Sequence, residues 1–296
     1  MVKLRKILWL TAILSGLSSP GFSDSHGARS LSLSYDTFIG GILAGSLDIV
    51  IESKGGGYHI KSTARSHGML DFFIEFRGQN ESQGQVVNGR ARPVSYQAVS
   101  SWAGEARTAE IQYGPNDRLR YQAVPPAKDD ERETVPANLL PGTRDPLSAL
   151  YDIMLGLPET TPCVGLTKIF DGRRRYDVSF SEATGVSAGV SADLSADATA
   201  TSSVYSGPVR VCRARRKMLA GASRRNLLPQ FTRPDWMDIW IAKVRPGLPI
   251  LPVRVHADLG IADLVVHLVA IGGRKRPPGD SGSTPDTGNN HGDSEQ

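Results

Sequence analysis

Apolar and polar residues alternate along most of this chain with a period of two residues, which is the pattern of a half-buried β-strand. Turn residues interrupt the alternation, including Asn88-Gly89, a pair that favours two-residue hairpin connections. Strands joined by short turns form an antiparallel meander with one dry face and one wet face. The pattern predicts a mostly β fold, in which a strongly curved antiparallel sheet forms an open or spiral-like barrel.

One stretch breaks the alternation and predicts a helix. Asp145 is a good N-cap, and Pro146 stands at the favoured first position of a helix. Gly156 and Pro158 are typical of a helix end. Between them, four residues at helical spacing form one apolar stripe: Leu147, Leu150, Tyr151 and Met154. We expect this helix to cover the mouth of the curved sheet.

Residues 1–22 predict a secretory signal peptide. Lys3, Arg5 and Lys6 form its charged region, and the apolar stretch at residues 7–17 is too short to span a bilayer comfortably. Small residues suited to cleavage follow, but no A-x-A motif is present, so an uncleaved anchor helix stays as the alternative. A cleaved export signal places the mature protein in the periplasm.

The rest of the chain is interpreted as one domain and a tail. Residues 273–296 are polar and rich in Gly, Pro and Asp, so they cannot bury enough surface to offset their ordering entropy, and we expect them to be disordered. No linker divides residues 29–272, which we interpret as a single β domain. Within this domain, the Ser- and Ala-rich residues 183–200 predict a long hairpin tip.

The net charge argues against nucleic-acid binding. The chain has a formal charge of +4, of which the signal peptide supplies +3 through Lys3, Arg5 and Lys6. The mature chain is therefore near +1, whereas a nucleic-acid-binding domain usually carries a basic footprint as a whole.

The chain has two cysteines, Cys163 and Cys212. Behind an export signal, an even cysteine count predicts a disulfide. In the chain-entropy model, a crosslink that closes a loop of this length stabilises the fold by up to about 4 kcal/mol. A thiol catalyst or a metal-binding pair is the alternative, but neither cysteine has the C-x-x-C spacing that favours those roles.

Three consecutive arginines stand beside a predicted turn in residues 163–180. Asp171-Gly172 is typical of a two-residue hairpin turn, which places Lys168 opposite Arg175. In that register Arg173 lies on the same face as these two, and the core face carries Tyr176, Val178 and Phe180. Like charges opposite each other are unfavourable unless water or a bound anion lies between them. Both explanations stay open.

A second basic run follows at residues 210–217, and the predicted disulfide brings it to the hairpin. Between residues 168 and 225 the chain has eleven basic and five acidic residues. Arginine suits phosphate and carboxylate groups. We therefore predict that an anionic envelope component, such as a lipid head group, lipopolysaccharide or a wall polymer, binds at Lys168, Arg173, Arg175, Arg213 and Arg215.

Trp236 and Trp240 alternate with bulky aliphatic residues in one predicted strand, so both faces of that strand are apolar. Such a strand is either buried on both faces or presents its indole rings to a ligand cavity. Both interpretations stay open, and we include the two tryptophans among the predicted ligand-binding residues.

Few features of the chain favour an enzyme or a metalloprotein. The motifs S-x-x-K and H-E-x-x-H do not occur, and the glycine-rich residues 40–45 lack the Lys-Ser/Thr of a phosphate-binding loop. His256 and His267 lie near two aspartates, but a metal site needs a shared centre, and polar histidines are common on strand faces. We expect no catalytic residue, no cofactor and no metal.

Four segments resemble a known family when they are taken in order: "LSYDTFIGGILAGSLDIVIE", "DPLSALYDIM", "FDGRRRYDVSF" and "YSGPVRVC". They are similar to exported proteins of Gram-negative bacteria grouped as domain of unknown function 3108, and the resemblance extends from residue 31 to residue 272. It implies an exported location and a β architecture, but no activity and no site residues. The layout is also similar to exported β-spiral proteins that support envelope integrity.

These features predict a non-catalytic periplasmic protein that supports cell-envelope integrity by binding an anionic envelope component or an envelope protein. A lipid or small-molecule carrier with an apolar lumen is the alternative, because barrels of about eight strands can hold one small ligand. A hydrolase is a third hypothesis. A large apolar cavity favours the carrier, and a filled core with a basic outer face favours the binding protein.

Overall fold

A computed structural model defines residues 28–68, 71–72, 75–129, 132–156, 162–183, 203–223 and 234–273. The predicted signal peptide lies outside these described residues, as do residues 274–296 of the predicted tail and residues 184–200 of the Ser- and Ala-rich stretch. Within the described part of the chain, no helix has the length and apolar character needed to cross a membrane.

Thirteen antiparallel strands form one sheet. In chain order they are Arg29–Ile39 (β1), Ile42–Lys54 (β2), Gly57–Ser66 (β3), Arg77–Val87 (β4), Arg90–Trp102 (β5), Glu105–Tyr113 (β6), Leu119–Val124 (β7), Gly165–Phe170 (β8), Arg175–Glu182 (β9), Arg210–Ala220 (β10), Trp236–Ala242 (β11), Leu251–Asp258 (β12) and Asp263–Ile271 (β13). Neighbours along the chain pair from β1 to β7 and from β8 to β13, and β1 joins the two runs by pairing with β13. Strands β7 and β8 are therefore the two edges of an open sheet. The predicted mostly β fold with an open antiparallel sheet is confirmed.

The predicted helix is confirmed as α1 (Pro146–Gly156), in the connection between β7 and β8. Asp145 caps it, because its Oδ1 accepts the N–H groups of Leu147 and Ser148 at 3.1 and 2.9 Å. Ser82 on β4 donates to the other carboxylate oxygen at 3.1 Å, so the capping residue also attaches the helix to the sheet. Burial raises the pKa of the Asp145 carboxyl.

The core lies between α1 and the sheet. The hydroxyls of Tyr58 and Ser148 are hydrogen-bonded at 2.7 Å, and the rings of Tyr58 and Tyr151 are 5.1 Å apart. Near the end of the helix, Asp152 accepts hydrogen bonds from the Arg90 guanidinium at 2.9 and 2.6 Å. The largest fully buried apolar side chains are Phe170, Leu33, Ile60, Ile111, Leu251 and Leu268.

Cys163 and Cys212 form the disulfide that the sequence predicts, with Cα atoms 5.6 Å apart and a sequence separation of 49 residues. Cys212 lies on β10, and Cys163 precedes β8. The bond therefore fastens the start of an edge strand to a strand two positions away in the sheet. Ile241 and Ile250 bury it from solvent.

Candidate ligand-binding face

The β8–β9 hairpin has a wider connection than the sequence predicts. Lys168 pairs with Asp177 and not with Arg175, so the predicted register is wrong by two residues. The cause is the Asp171 carboxylate, whose Oδ1 accepts the backbone N–H groups two and three residues later at 2.9 and 2.6 Å. Because the shift is an even number of residues, strand residues that were predicted to share a face still share it. The predicted core face is wrong, however, because Tyr176, Val178 and Phe180 are half-buried, whereas Phe170 and Arg175 on the other face are buried.

Arg173 connects the two open edges of the sheet. Its guanidinium donates to three backbone carbonyl oxygens: Val124 at 2.6 Å, Pro125 at 3.0 Å and Thr108 at 3.1 Å. Beside it, the rings of Phe170 on β8 and Tyr121 on β7 meet edge to face at 4.9 Å. The structure therefore places Arg173 in a contact across the opening of the sheet. Its guanidinium N–H groups, which were predicted to bind an anion, donate to backbone carbonyls instead.

Arg175 lies in the interior, and its side chain is 3% exposed. Its Nε donates to the Leu139 carbonyl at 2.8 Å, and its Nη1 donates to the Asp177 carboxylate at 2.6 Å. Neither a solvated hairpin corner nor an exposed anion site describes this residue. Contrary to the sequence prediction, Arg175 is therefore not a binding residue. A buried guanidinium requires hydrogen-bonding partners, and Leu139 and Asp177 already fill that role.

Three cations are exposed on one face of β8 and β10: Lys168, Arg215 and Lys217. Asp177 on β9 stands between the two lysines in the ladder, but its carboxylate pairs with Arg175. Among the described residues, none of the three cations forms an ion pair. We call these three residues the basic face.

The structure brings Arg213 and Trp236 together, as members of one predicted site. The guanidinium carbon of Arg213 is 4.3 Å from the centre of the Trp236 ring. The same guanidinium donates to both carboxylate oxygens of Asp238 at 2.8 and 2.9 Å, and this hydrogen bonding raises the pKa of Arg213. Sequence reasoning missed Asp238 as the partner, although alternation along the strand places it on the same face as Trp236. Arg213 is therefore occupied, while Trp236 borders the basic face opposite Arg215.

Trp240 lies in the packed interior and is 7% exposed. Arg254 on β12, which the sequence analysis did not single out, stacks over its ring with 4.3 Å between the guanidinium carbon and the ring centre. The neighbouring Ile241, on the opposite face of β11, is also buried. At this end of β11 the structure supports burial on both faces rather than an indole that lines a ligand cavity.

The two histidines on β12 and β13 do not share a centre. His267 is fully buried beside the Phe38 ring, whereas His256 lies 3.1 Å from the Asp263 carboxylate. No group of three or more His, Cys, Asp or Glu side chains suited to a metal ion occurs in the residues that the structure describes.

Two cavities lie away from the basic face. One of about 600 Å³ has charged and amide side chains in its lining, at the ends of β1 to β4: Arg29, Glu52, Lys54, His59, Gln83 and Gln85. The other, of about 320 Å³, lies beside the Arg173 contact and includes Lys128 and Arg132. Both linings mix charged or polar side chains with apolar ones, such as Tyr58 and Val94 in the first and Val135 in the second.

Comparison with known proteins identifies a family for this chain. The family model described as a protein of unknown function, DUF3108, matches residues 33–269. No curated protein matches the chain. Among solved structures, the chain is similar to a beta-barrel-like protein of domain of unknown function DUF1849 from Brucella abortus, at 12% identity and a TM-score of 0.46. That match covers 82% of this chain and 96% of the other.

Proposed function

We propose that this chain, which belongs to the DUF3108 family of proteins of unknown function, is an exported, non-catalytic binding protein of the cell envelope. Its basic face holds the phosphate or carboxylate groups of an anionic envelope component, and this attachment supports envelope integrity.

The observation that carries the proposal is a set of exposed cations without acidic partners in the described chain: Lys168, Arg215 and Lys217. They differ from the neighbouring arginines, whose donors carbonyls and carboxylates already occupy. Cations held on one face attract anions from solution, and an arginine fork fits a phosphate or carboxylate group. Trp236 adds an aromatic ring at the rim of the same surface.

The disulfide supports the exported location. Disulfides persist in oxidising compartments such as the periplasm and are rare in the cytosol. The Cys163–Cys212 bond joins the segment before β8 to β10, and its presence is consistent with a chain that folds after export. The predicted signal peptide at residues 1–22 agrees with that location.

Vesicle binding tests the proposal. The variant Lys168→Gln with Arg215→Gln and Lys217→Gln should lose binding to vesicles of phosphatidylcholine and phosphatidylglycerol, and the wild-type binding should weaken steeply with salt, because charges are screened over about 8 Å at physiological ionic strength. A matched control removes the same residue types from exposed positions elsewhere, through Lys61→Gln, Lys128→Gln and Arg92→Gln.

The control variant should bind as the wild type does. Equal losses in the two variants would show that net charge alone attracts the vesicles, and the basic face would then have no special role. A soluble acidic polymer, such as polyglutamate, serves as a second probe that carries carboxylates without a lipid.

Two features of the chain resemble parts of a hydrolase site. Residues 185–189 spell Gly-Val-Ser-Ala-Gly, a match to the G-x-S-x-G pattern that needs a strand–turn–helix context, but they lie outside the described residues. Ser46 and His67 are hydrogen-bonded at 2.8 Å, yet Ser46 is 4% exposed and lines neither cavity described above. A buried hydroxyl without access to substrate supports a structural role.

A further inference from the structure

Three connections meet at one end of the sheet. The β1–β2 turn contacts the β12–β13 turn, because the N–H of Gly40 donates to the Asp263 carbonyl at 2.9 Å. The segment that follows β3 joins the same group, since the N–H of His67 donates to the Ala44 carbonyl at 2.9 Å. Side chains on these connections therefore lie close together, although they come from distant parts of the sequence.

Each of these connections exposes large apolar side chains. The exposed fractions are 65% for Ile42, 40% for Leu43, 86% for Phe72 and 68% for Ile261. Single exposed apolar residues are ordinary on protein surfaces, but several that share one end of a molecule indicate an interaction site. We call these four residues the apolar tip.

The turns that carry the apolar tip are well defined. Gly40 and Gly41 adopt positive φ angles of 57° and 81°, which permit the tight connection before Ile42. In the β12–β13 turn, the Asp258 carboxylate accepts the N–H of Gly260 at 2.6 Å. The isoleucines are therefore displayed by fixed turns rather than left exposed by a poorly packed loop.

The carboxylates around the apolar tip are engaged by neighbours. Asp263 lies 3.1 Å from His256, and Asp71 forms hydrogen bonds with Arg77, one of them at 3.1 Å. Glu75 is exposed at the base of the segment after β3. Asp263 and Asp71 beside the apolar tip are thus held by basic partners, and Glu75 is the carboxylate that the solvent reaches at its base.

The basic face lies toward the same end of the sheet. In an antiparallel meander, alternate connections lie at the same end, so the β8–β9, β12–β13 and β1–β2 turns share one end. Lys168 stands two residues before the end of β8, and Lys217 stands three residues before the end of β10. Apolar groups and cations at one end are the combination that holds proteins at the surface of an anionic bilayer.

We propose that the apolar tip inserts into the acyl region of an anionic membrane, with the basic face beside it at the head groups. The electrostatic half of this arrangement rests on the proposed function, whereas the insertion rests on the exposed tip alone. The partner is the bilayer itself. Aliphatic and aromatic side chains partition into it because burial removes their apolar surface from water.

A tryptophan at the tip tests insertion directly. Ile261→Trp should show a blue-shifted emission on mixing with vesicles of phosphatidylcholine and phosphatidylglycerol, and lipids brominated along the acyl chain should quench it. A control variant, Val94→Trp, places the indole at an exposed position on β5, between the opposite-end β4–β5 turn and the middle of the strand, and brominated lipids should leave its added emission unchanged. The three tryptophans of the described sheet contribute equally to both variants.

A binding measurement separates the apolar and charged contributions. Ile42→Ser with Ile261→Ser should reduce vesicle binding at least tenfold at high salt, where electrostatic attraction is screened. Val87→Ser with Val94→Ser, two exposed valines of β4 and β5, should leave it unchanged. Ile42 begins β2 directly after a turn and Ile261 lies in a turn, and both are exposed, so the circular dichroism spectrum and the melting temperature of the tip variant should match those of the wild type.

The outcomes distinguish this inference from the proposed function. Vesicle binding that is sensitive to salt and to the basic-face substitutions, but indifferent to the tip variant and without bromolipid quenching, would overturn insertion and leave the binding function standing. Bromolipid quenching together with the expected loss of vesicle binding in the tip variant would support insertion. If the basic-face substitutions left vesicle binding unchanged in the same experiments, the anion-binding function would be overturned. A tip variant that binds vesicles normally but loses a protein partner would assign the tip to that partner and end the membrane inference.

Discussion

At the scale of single residues, the arginines of the hairpin illustrate how burial decides chemical role. Arg173 and Arg175 carry the same charge and stand two positions apart, yet one spans the sheet opening and the other lies in the interior. Lys168, on the same face as Arg175, is exposed and has no ion pair in the described chain. Only a cation of the last kind is available to an external anion.

Replacement of Arg175 by leucine should lower the free energy of unfolding by about 2 kcal/mol or more, because it leaves the Leu139 carbonyl and the Asp177 carboxylate without their partner. Lys168→Leu is the matched control on the same face and should change stability by no more than about 0.5 kcal/mol. Urea denaturation of the two variants and the wild type measures both changes. Equal stabilities for the two variants would contradict the interior placement of Arg175.

At the scale of elements, local signals in the sequence were sufficient for the helix and insufficient for the hairpin. Asp145, Pro146 and the apolar stripe each act within a few residues, so the start and end of α1 could be predicted. The β8–β9 register depends instead on where the Asp171 side chain finds its donors. Asp171-Gly172 suits a two-residue turn, but the carboxylate bonds to the backbone beyond it and widens the turn.

The partners of the arginines could not be predicted for a related reason. The carbonyls that accept from Arg173 belong to β6, β7 and the residue that follows β7, and they are remote from it in sequence. Asp238 is likewise 25 residues away from Arg213. Sequence alternation gives the face of a side chain, whereas its partner depends on which strands become neighbours.

The contact across the sheet opening can be tested at the same scale. Arg173→Ala should remove the hydrogen bonds to the Val124, Pro125 and Thr108 carbonyls and speed amide hydrogen exchange in β7, because an edge strand without this contact opens more often. Arg174→Ala is the control, since that side chain bonds to Asp171 within its own turn. Exchange in β7 that responds equally to both substitutions would show that turn distortion, and not the contact, is responsible.

At the scale of the whole molecule, an open sheet has to hold two edges without closing them into a barrel. Arg173 and the Phe170–Tyr121 ring pair connect β8 to β7, while the connection between these strands packs α1 onto β4, β5 and β8. The disulfide fastens the start of β8 to β10. These contacts hold β7, β8 and β10 in place, and the cations of the basic face lie on the last two of these strands.

The disulfide should therefore contribute to global stability. The variant Cys163→Ser with Cys212→Ser should unfold at a lower urea concentration than the oxidised wild type. Its free energy of unfolding should be smaller by up to about 4 kcal/mol, because the bond restricts a long loop in the unfolded chain. The reduced wild type should unfold with the serine variant, which separates loss of the bond from the effect of the substitutions themselves. Mass spectrometry of unreduced protein from the periplasm supplies the second measurement. Two free thiols in that protein would show that the predicted bond does not form in the cell. An oxidised wild type no more stable than the variant would show that the bond does not contribute to global stability.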